Sequence, residues 1–433
     1  MTDTQQTMAK RLEAADVRHV FVEFADVNGM SRSKQLTTER FLDVWEDGIP
    51  VNMLLLVQTT RNEVPSNSKF GEAIGYGDGI LRPDPSTLRT LPWRDDAARV
   101  LCDVEYEGQR VAAAPRSALR NVLDSADVGI EFGVGSELEF YLLEESDEGY
   151  APATDHKHEW VSEVTERVAP FYDRLSKWAP AYGIPIHSLE HEHGPGQLEV
   201  LFDHSDALTQ ADRTFDFVRL VKRTATLTDT VGTFMPKPFG DESGSGYHLH
   251  VSAQRDGENA FDDGADTLSE VGRQFVGGLV EHADALTAFG IPTLNGYKRL
   301  DPEGFAPYAA TWGYDDRRTA FRVPSGYTRV ENRIGAADAN PYLFIAATLA
   351  AGLDGIERGL DAGRSGAETV DGDARTLPQT PMQAFEALEN DDALIGRLGS
   401  DAVEAYLCTR RRDLAAFDAC VTDWERERYV DMR

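Results

Sequence analysis

The sequence predicts an α+β protein in which several strands of a large domain carry polar side chains to one site. Four short β-favouring stretches place charged side chains or histidines among apolar residues: FGVGSELEFYLL, GQLEVLF, GYHLHVS and TRVENRIG. Alternate residues of a strand share a face. Stretches with apolar residues three and four apart, typical of helices, separate these strands. A buried carboxylate is costly unless it pairs with a cation or binds a metal, so its recurrence in separate strands indicates one shared site.

Length and charge limit the classes of protein that fit. At 433 residues the chain is long enough for two or more domains. Its 74 acidic and 43 basic residues give a net charge of −31. Such a field repels nucleic acid and anionic membranes and favours solubility where salt screens self-repulsion, so we predict a high-salt cytoplasm and no nucleic-acid or membrane partner. The alternative is an acidic surface that binds a polycation, although an excess of charge dispersed along the chain builds no particular site.

Targeting and cysteine patterns agree with a cytoplasmic location. We find no apolar run of about 18 residues and no apolar segment near the N-terminus, so neither a membrane span nor secretion is predicted. The three cysteines lack CxxC spacing, which excludes a zinc cluster or a disulfide framework of the usual kind.

The first part of the chain, residues 1–111, reads as a small α+β domain. Residues 1–16 form a helix or a loose arm, and a hairpin begins at His19, with Asn28 and Gly29 supplying the positive φ values of its turn. The stretch TTERFLDVWEDG is predicted to be a helix with Thr37 or Thr38 as its N-cap. Further short strands follow up to residue 111.

The second part, residues 112–433, is predicted to hold the chemistry. Pro115 is suited to the first position of a helix. Two longer helices, SEVTERVAPFYDRLSKWAPAYG and ALTQADRTFDFVRLVKRTATLTDTVG, should pack outside a sheet. Residues 361–377 read as an acidic surface loop, and helices are expected from Thr380 to the end.

Five carboxylates and one imidazole form the candidate metal site. They are Glu137, Glu139, Glu192, Glu199, His248 and Glu331. This mixture suits Mg²⁺ or Mn²⁺ better than zinc, and its density allows two ions that would neutralise phosphate oxygens. Taken singly, each carboxylate has the alternative interpretation of a strand-edge charge or a salt-bridge partner.

A basic group follows in the sequence and indicates an anionic substrate. It comprises Arg299, Arg317, Arg322, Arg329 and Arg333. Guanidinium groups match carboxylate and phosphate geometry, although charge compensation in an acidic protein is the alternative. His250 shares a face with His248, but a core histidine satisfied by hydrogen bonds is the commoner case. The other histidines near Glu192 or in an earlier loop are interpreted as surface residues, with contact between one of them and substrate as the alternative: His156, His158, His187, His191 and His193.

Two common nucleotide-binding motifs are excluded. The Gly/Ser loop at residues 243–246 does not fit GxxxxGK[ST], and Gly133-Val134-Gly135 does not open a helix. Any nucleotide must therefore be bound in another way.

Several motifs in order make the chain resemble the glutamine synthetase family over nearly its whole length. They are ADVNGMSRSKQL, GDGILRPDPSTLRTLPW, GSELEFYLL, EHGPGQLEV, FMPKPFGDESGSGYHLHVS, NGYKRLDPEGFAP and RVENRIGAADANPYL. The resemblance implies an N-terminal β-grasp domain and a catalytic domain of antiparallel strands surrounded by helices. It also implies stacked rings of subunits, expected to be a dodecamer, with active sites between neighbours.

The resemblance further implies roles for single residues. One divalent cation would be held by Glu139, Glu192 and Glu199, and a second by Glu137, His248 and Glu331. Arg299 would bind the α-carboxylate of glutamate, Arg317 the transferred phosphate and Arg333 the side-chain carboxylate. We assign further contacts with substrate to Gly244 and Phe305, and contacts with ATP or phosphate to Arg322, Arg329, His250 and Ser252. ATP would phosphorylate the γ-carboxylate, and the γ-glutamyl phosphate would then acylate an amine.

One departure from the family pattern bears on the amine. Glutamine synthetases have a flap reading like PGxEAP, whose Glu helps to bind and deprotonate ammonium, whereas this chain reads DPEGFAP with Phe305 at that position. A phenyl ring cannot accept a proton. Asp26, the ammonium-side carboxylate contributed by a neighbouring subunit, is retained. The pattern resembles ligases that join glutamate to organic amines, so we predict putrescine or a related polyamine as the acceptor. The alternatives are glutamine synthesis with Glu303 as a repositioned base, and a non-catalytic sensor or scaffold.

Overall fold

The computed structural model describes residues 3–126, 128–147, 149–265, 267–302, 304–366 and 374–432. These ranges form two sheets with helices packed around them, which confirms the predicted α+β class. None of the helices in these ranges combines the length and the apolarity that crossing a bilayer requires.

The first sheet is built by the first part of the chain. Its strands are β1 (His19–Ala25), β2 (Ser31–Thr37), β3 (Ile49–Asn52), β4 (Asp78–Pro83), β5 (Arg89–Thr90), β6 (Ala97–Tyr106) and β7 (Gln109–Arg110). They run in the order β2-β1-β6-β4-β3, with β5 and β7 also paired to β6. The β1–β6 pair is parallel and the other pairs are antiparallel.

The second sheet holds the predicted polar-faced strands. It contains β8 (Glu131–Ser146), β9 (Gly149–Pro152), β10 (Ile186–His191), β11 (Gln197–Asp206), β12 (Val231–Thr233), β13 (Tyr247–Arg255), β14 (Glu258–Asn259), β15 (Trp312–Tyr314), β16 (Phe321–Val323) and β17 (Val330–Asn332). The main order is β10-β11-β8-β13-β17-β16-β15. Its pairs are antiparallel except β15–β16, so the sheet is mixed.

The helices cover these sheets and close the fold. They are α1 (Asp3–Ala14), α2 (Thr38–Asp43), α3 (Pro115–Asp124), α4 (Ser162–Arg167), α5 (Ala169–Ala181), α6 (Ala207–Thr226), α7 (Glu270–Glu281), α8 (Ala283–Gly290), α9 (Pro341–Arg358), α10 (Pro381–Glu389), α11 (Asp392–Leu398), α12 (Ser400–Asp418) and α13 (Asp423–Tyr429). Helix α9 is buried along nearly its whole length. It approaches α7 so closely that a Cβ on Gly278 would lie 2.0 Å from the Ala351 carbonyl oxygen.

Buried ion pairs tie the first sheet to the helices of the second part. Arg116 of α3 donates to Asp84 at 2.8 Å, to Asp103 at 2.7 Å and to Asp212 of α6 at 2.9 Å. The Arg99 guanidinium likewise donates to Asp216. One hydrophobic cluster comes almost entirely from residues before 115 and a larger one mainly from residues after it. The domain boundary between residues 111 and 112 stays a prediction.

Most predicted elements are found, with two corrections. The helix predicted at SEVTERVAPFYDRLSKWAPAYG is two helices, α4 and α5, which meet at Val168. Pro170 lacks an amide hydrogen and its ring disfavours a preceding helical turn, so it suits the first turn of a new helix, where it stands in α5. In the β1–β2 turn Gly29 has a φ of +75°, whereas Asn28 does not adopt positive φ. Part of the predicted 361–377 loop, residues 367–373, lies outside the described residues, and residues 361–366 form neither helix nor strand.

Candidate active site

Strands β11, β8, β13 and β17 lie side by side and carry the predicted polar residues on one face. Three cross-strand pairs each join two of these residues: Glu199 with Glu139, His248 with Glu137, and His250 with Glu331. The alternate residues of the same strands, such as Leu138 and Leu249, are buried in the core. Strand alternation and burial of the apolar face therefore bring residues far apart in sequence into one cluster.

Glu137 is the centre of this cluster. Its carboxylate lies 2.7 Å from Nδ1 of His248 and 3.1 Å from Nε2 of His250. Potential ligand atoms of Glu137, Glu199 and His248 lie within 4.8 Å of one another. The same holds for Glu137, His250 and Glu331. His250 thus belongs to the cluster and forms a triplet with Glu137 and Glu331 among the described residues, while Nδ1 of His248 also lies 3.8 Å from Glu331.

Crowded negative charge perturbs the carboxylates on one side of the cluster. Burial and the charges of Glu139 and Glu137 raise the pKa of Glu192 to about 8. Burial and the same two neighbours also raise the pKa of Glu199 far above its ordinary value. Protons therefore neutralise part of the cluster near neutral pH.

The other side of the cluster is held ionised. Although burial acts in the opposite direction, hydrogen bonds with His248 and His250 hold the pKa of Glu137 well below its ordinary value. Burial alone would raise the pKa of Glu331, but the charge of the adjacent Arg333 outweighs it and the pKa is lowered to about 2. The cluster thus combines carboxylates whose pKa is raised with carboxylates whose pKa is lowered.

This donor set fits hard divalent cations. It offers carboxylate oxygens and imidazole nitrogens and no thiol, which suits Mg²⁺ or Mn²⁺. A divalent cation could take the place of the protons on Glu192 and Glu199, because it neutralises the same crowded charge.

The predicted arginines occupy three kinds of environment. Arg322 donates to Glu331 at 2.9 Å, and Arg333 donates to the other oxygen of that carboxylate. Nε of Arg329 lies 3.3 Å from Nδ1 of His250. Arg299 is buried and donates to the Gly335 carbonyl at 3.1 Å. Arg317 is exposed and makes no hydrogen bond or ion pair within the part of the chain that the structure describes.

The Gly/Ser loop connects the metal ligands to Arg299. The Gly246 amide donates to Glu139 at 2.9 Å. A Cβ on Gly244 would lie 2.4 Å from Cγ of Arg299 and 3.0 Å from the Pro236 carbonyl oxygen, so only glycine lets this loop lie against the arginine. The structure therefore brings Gly244 and Arg299 together, as their assignment to one substrate requires.

Gln197 is a site residue that sequence reasoning missed. Its amide nitrogen donates to Glu139 at 3.0 Å and to the Gly244 carbonyl at 3.1 Å, which joins a potential metal ligand to the Gly/Ser loop. Its position on the same face of β11 as Glu199, two residues earlier, was the available signal.

A cavity of about 270 Å³ adjoins the cluster. Three predicted phosphate-binding residues line it: His250, Ser252 and Arg329. His187, which the sequence analysis interpreted as a surface residue, also lines this cavity, whereas Asp203, His204 and Tyr327 in its lining were missed. The surface interpretation is wrong for His191, which is buried. Gly133 and Gly135 have no side chain to fill the strand face beside this cavity. Two glycines at alternate positions of β8 were the feature of the sequence from which the cavity could have been predicted.

Asp26 is not part of the cluster within one chain. Its side chain is fully buried and accepts hydrogen bonds from the amides of Asn28 and Met30, both at 2.9 Å, and from Arg32 at 2.8 Å. Burial raises its pKa despite the nearby arginine. In this chain Asp26 therefore stabilises the β1–β2 turn, and its part in catalysis stays a prediction.

The flap residue Phe305 is 75% exposed and lies in a segment without helix or strand. Such exposure is unusual for a phenylalanine that packs within its own chain. Glu303, the alternative base, lies outside the described residues.

Comparison with protein families gives one match over most of the chain. The model described as "Glutamine synthetase, catalytic domain" matches residues 112–429. The chain is 35% identical to the glutamine synthetase of Halobacterium salinarum over 454 aligned residues, which cover 100% of this chain and 97% of that protein. It is also 35% identical to the gamma-glutamylethanolamide synthetase GlnA4 of Streptomyces coelicolor, covering 96% of this chain and 93% of that protein.

Solved structures agree with these relatives. A GmaS/ADP complex superposes with a TM-score of 0.88 at 31% sequence identity and covers 100% of both chains. Apo GmaS without ligand gives a TM-score of 0.87 at 32% identity and covers 98% of this chain and 99% of that chain. Fold and sequence likeness therefore extend over the whole chain.

Proposed function

Because the chain belongs to the glutamine synthetase family of ATP-dependent ligases, we propose that it joins the γ-carboxylate of glutamate to an organic amine, with putrescine or a related polyamine as the acceptor. The observation that carries the proposal is Phe305, an exposed apolar ring at the flap position where the family has its ammonium-binding Glu. The relative named for gamma-glutamylethanolamide synthesis supports an organic amine as the acceptor class.

Each step has residues suited to it. The γ-carboxylate oxygen attacks the terminal phosphorus of ATP and ADP leaves; the amine nitrogen then attacks the acyl carbon, phosphate leaves and the nitrogen loses a proton. Arg299 would hold the α-carboxylate, Arg333 the side-chain carboxylate, and the exposed Arg317 the transferred phosphoryl group. His250, Ser252, Arg322 and Arg329 would bind ATP beside the cavity that adjoins the cluster.

Two divalent cations would be held by the carboxylate cluster. The motif assignment gives Glu139, Glu192 and Glu199 to one and Glu137, His248 and Glu331 to the other. Such ions supply positive charge to phosphate oxygens in the transition state. The close triplet of Glu137, His250 and Glu331 supports adding His250 to the second set.

Assembly is part of the proposal. We propose a β-grasp domain at residues 1–111, a catalytic domain at residues 112–433, and stacked rings, expected to be a dodecamer, in which Asp26 of a neighbouring subunit faces the amine. Light scattering on the purified protein measures the mass of the assembly, and a monomer with full activity would contradict the shared site.

The amine is tested by product analysis. The enzyme is incubated with ATP, glutamate and Mg²⁺ or Mn²⁺ in high potassium chloride, with ammonium, putrescine, cadaverine, spermidine or ethanolamine in parallel. Phosphate release is followed and products are identified by mass spectrometry. We expect a γ-glutamyl amine and little glutamine. Rapid glutamine formation from ammonium would overturn the proposal, and inactivity with every amine despite ATP binding would favour a non-catalytic sensor.

The variant Phe305→Glu tests directly whether the residue at the flap position selects the amine. A carboxylate at this position can bind ammonium and accept its proton, so glutamine formation should rise at least about tenfold while γ-glutamyl-amine formation falls. Phe305→Gln is the matched control, since it has nearly the same size and no charge. Equal behaviour of the two variants would show that the flap position does not select the amine.

Glutamine synthesis from ammonium is the second candidate. The whole-length likeness to the Halobacterium salinarum glutamine synthetase favours it. Glu303 would then have to act as the base, so Glu303→Ala should abolish glutamine formation under that alternative and leave it unchanged under ours.

A further inference from the structure

Residues 155–160, which we call the rim loop, border the candidate active site. On one side the Trp160 amide donates to the His191 carbonyl at 3.1 Å, and the His158 carbonyl lies 3.0 Å from Nδ1 of His191. On the other side Lys157 forms an ion pair of 2.7 Å with Glu242. His191 directly precedes Glu192, and Glu242 directly precedes the Gly/Ser loop. The rim loop therefore connects two segments that supply groups to the site.

Trp160 is the most conspicuous residue of the rim loop. Its side chain is 74% exposed, although indole is among the largest apolar groups a protein has. Its φ is +59°, a left-handed conformation that costs energy for a bulky residue. Within the described residues no ring stacking and no cation–π contact involves Trp160. An exposed, unstacked indole beside the site is thus held in place by backbone hydrogen bonds.

Glu159 adds a carboxylate next to the indole. It is 55% exposed in its side chain and lies 3.2 Å from Nδ1 of His193, within the turn that carries Glu192. The only lysine of the rim loop is already neutralised by Glu242. The rim therefore offers an aromatic face and a carboxylate in adjacent positions, which is the combination that binds alkylammonium groups.

Resting on the proposed function, we propose that Trp160 and Glu159 form the outer wall of the acceptor subsite and bind the distal ammonium group of a diamine. The reacting nitrogen must be neutral to attack the acyl carbon, whereas the far nitrogen stays protonated. The indole face and the Glu159 carboxylate hold that cation outside the cluster of metal ligands. This wall therefore favours diamines, which carry a second and protonated nitrogen, over amines whose far end has no charge, such as butylamine or ethanolamine.

The test compares amines that differ in one charge. The KM values for putrescine, butylamine and ethanolamine are measured for the wild-type assembly and for Glu159→Gln, Trp160→Ala and Trp160→Phe. Glu159→Gln should raise the KM for putrescine about tenfold and change that for butylamine less than about twofold. Trp160→Ala should raise the KM for putrescine by a similar factor, and Trp160→Phe should restore most of the loss. The KM values for glutamate and ATP should not change.

Matched variants separate the outcomes. Glu166→Gln and Trp424→Ala remove an exposed carboxylate and an exposed indole elsewhere on the surface, and both should leave the amine KM values unchanged. If wild-type enzyme makes no γ-glutamyl amine, the proposed function itself is wrong. If it makes one but Glu159→Gln leaves the ratio of the putrescine and butylamine KM values unchanged, only this inference is wrong. Loss of assembly in light scattering with Trp160→Ala, with equal loss for all substrates, would place Trp160 at a subunit contact instead and overturn it.

Discussion

Gly244 shows how one missing side chain can position the arginine that we propose binds glutamate. Its Cα lies so near Arg299 that an added methyl would be 2.4 Å from Cγ of the arginine and 3.0 Å from a backbone carbonyl. Gly244→Ala should therefore displace the Arg299 guanidinium, which is buried and cannot shift freely. We expect the KM for glutamate to rise at least about tenfold, because a misplaced bidentate contact loses ~1.4 kcal/mol or more. Steady-state kinetics with varied glutamate measures it.

Gly240→Ala is the matched control for this substitution. Gly240 lies in the same loop, and a Cβ there would meet no atom within 4 Å. Its kinetics should equal those of the wild type. A rise in KM for ATP as large as that for glutamate in Gly244→Ala would mean that the loop as a whole had moved, and would contradict a specific effect on Arg299.

The positions of single residues in the cluster could be predicted in part from the sequence. Alternation in β13 was enough to place His248 and His250 on one face, and both contact Glu137. The sequence could not show that His250 lies across from Glu331, because this depends on the register between strands about 80 residues apart. Nor could it reveal Gln197, whose importance comes from a contact with a loop distant in sequence.

Helices α7, α8, α9 and α11 meet at His282, which joins them through charge. Nε2 of His282 lies 2.9 Å from Asp354 of α9, and Nδ1 lies 2.6 Å from Asp391, the N-cap of α11. Although burial acts against it, these two carboxylates raise the pKa of His282 above its ordinary value, and Arg358 is the other charge bound to Asp354. Protonated imidazole can donate to both acids at once.

His282→Gln should therefore destabilise the protein in a pH-dependent way. A raised pKa in the folded state means that the stabilisation is fully present below the unfolded pKa of about 6.5 and is lost as pH rises through the folded value. We expect the variant to lose about 2 kcal/mol relative to wild type near pH 6 and clearly less near pH 9. Denaturant unfolding at both pH values gives these differences.

Asp391→Asn is a useful second variant at this junction. Asparagine keeps the oxygen that caps α11 through the Leu394 amide at 3.0 Å but removes the negative charge facing His282. The pH dependence of the free energy of unfolding should weaken in Asp391→Asn as well. Combining Asp391→Asn with His282→Gln should cause little further loss of stability. If His282→Gln lowers the free energy of unfolding by the same amount at both pH values, the loss is a packing effect and the charge argument is wrong.

At the level of elements, local signals were the reliable ones. Pro115 begins α3 and Thr37 caps α2, as predicted, because capping and proline chemistry depend on neighbouring residues. The break between α4 and α5 was missed although Pro170 was visible, since the apolar spacing continued across it. Strand order and the parallel β1–β6 pair are long-range properties that no local pattern encodes.

The charge of the whole molecule sets its response to salt. A net charge of −31 produces self-repulsion in the folded state, while buried pairs such as Arg116 with Asp212 are shielded from solvent ions. Added salt should therefore weaken the repulsion more than it weakens the buried pairs that tie the first sheet to the helices of the second part. The high-salt cytoplasm predicted from composition stays a prediction, but the physical consequence of the charge can be measured directly.

We expect the thermal midpoint to rise with potassium chloride, with most of the rise complete by about 1 M, where the screening length has fallen to ~3 Å. Scanning calorimetry at fixed protein concentration measures it, because dissociation of an assembly would otherwise shift the midpoint. Sodium chloride at equal ionic strength should give a similar rise, since screening depends on charge and not on the ion's identity. Sucrose at matched osmolality stabilises by exclusion without screening, so it should reproduce only a small part of the effect. A midpoint that stays level or falls between 0.1 and 1 M salt would show that repulsion across the dispersed acidic surface does not limit stability, and that ion pairs such as those of Arg116 contribute more to the salt response.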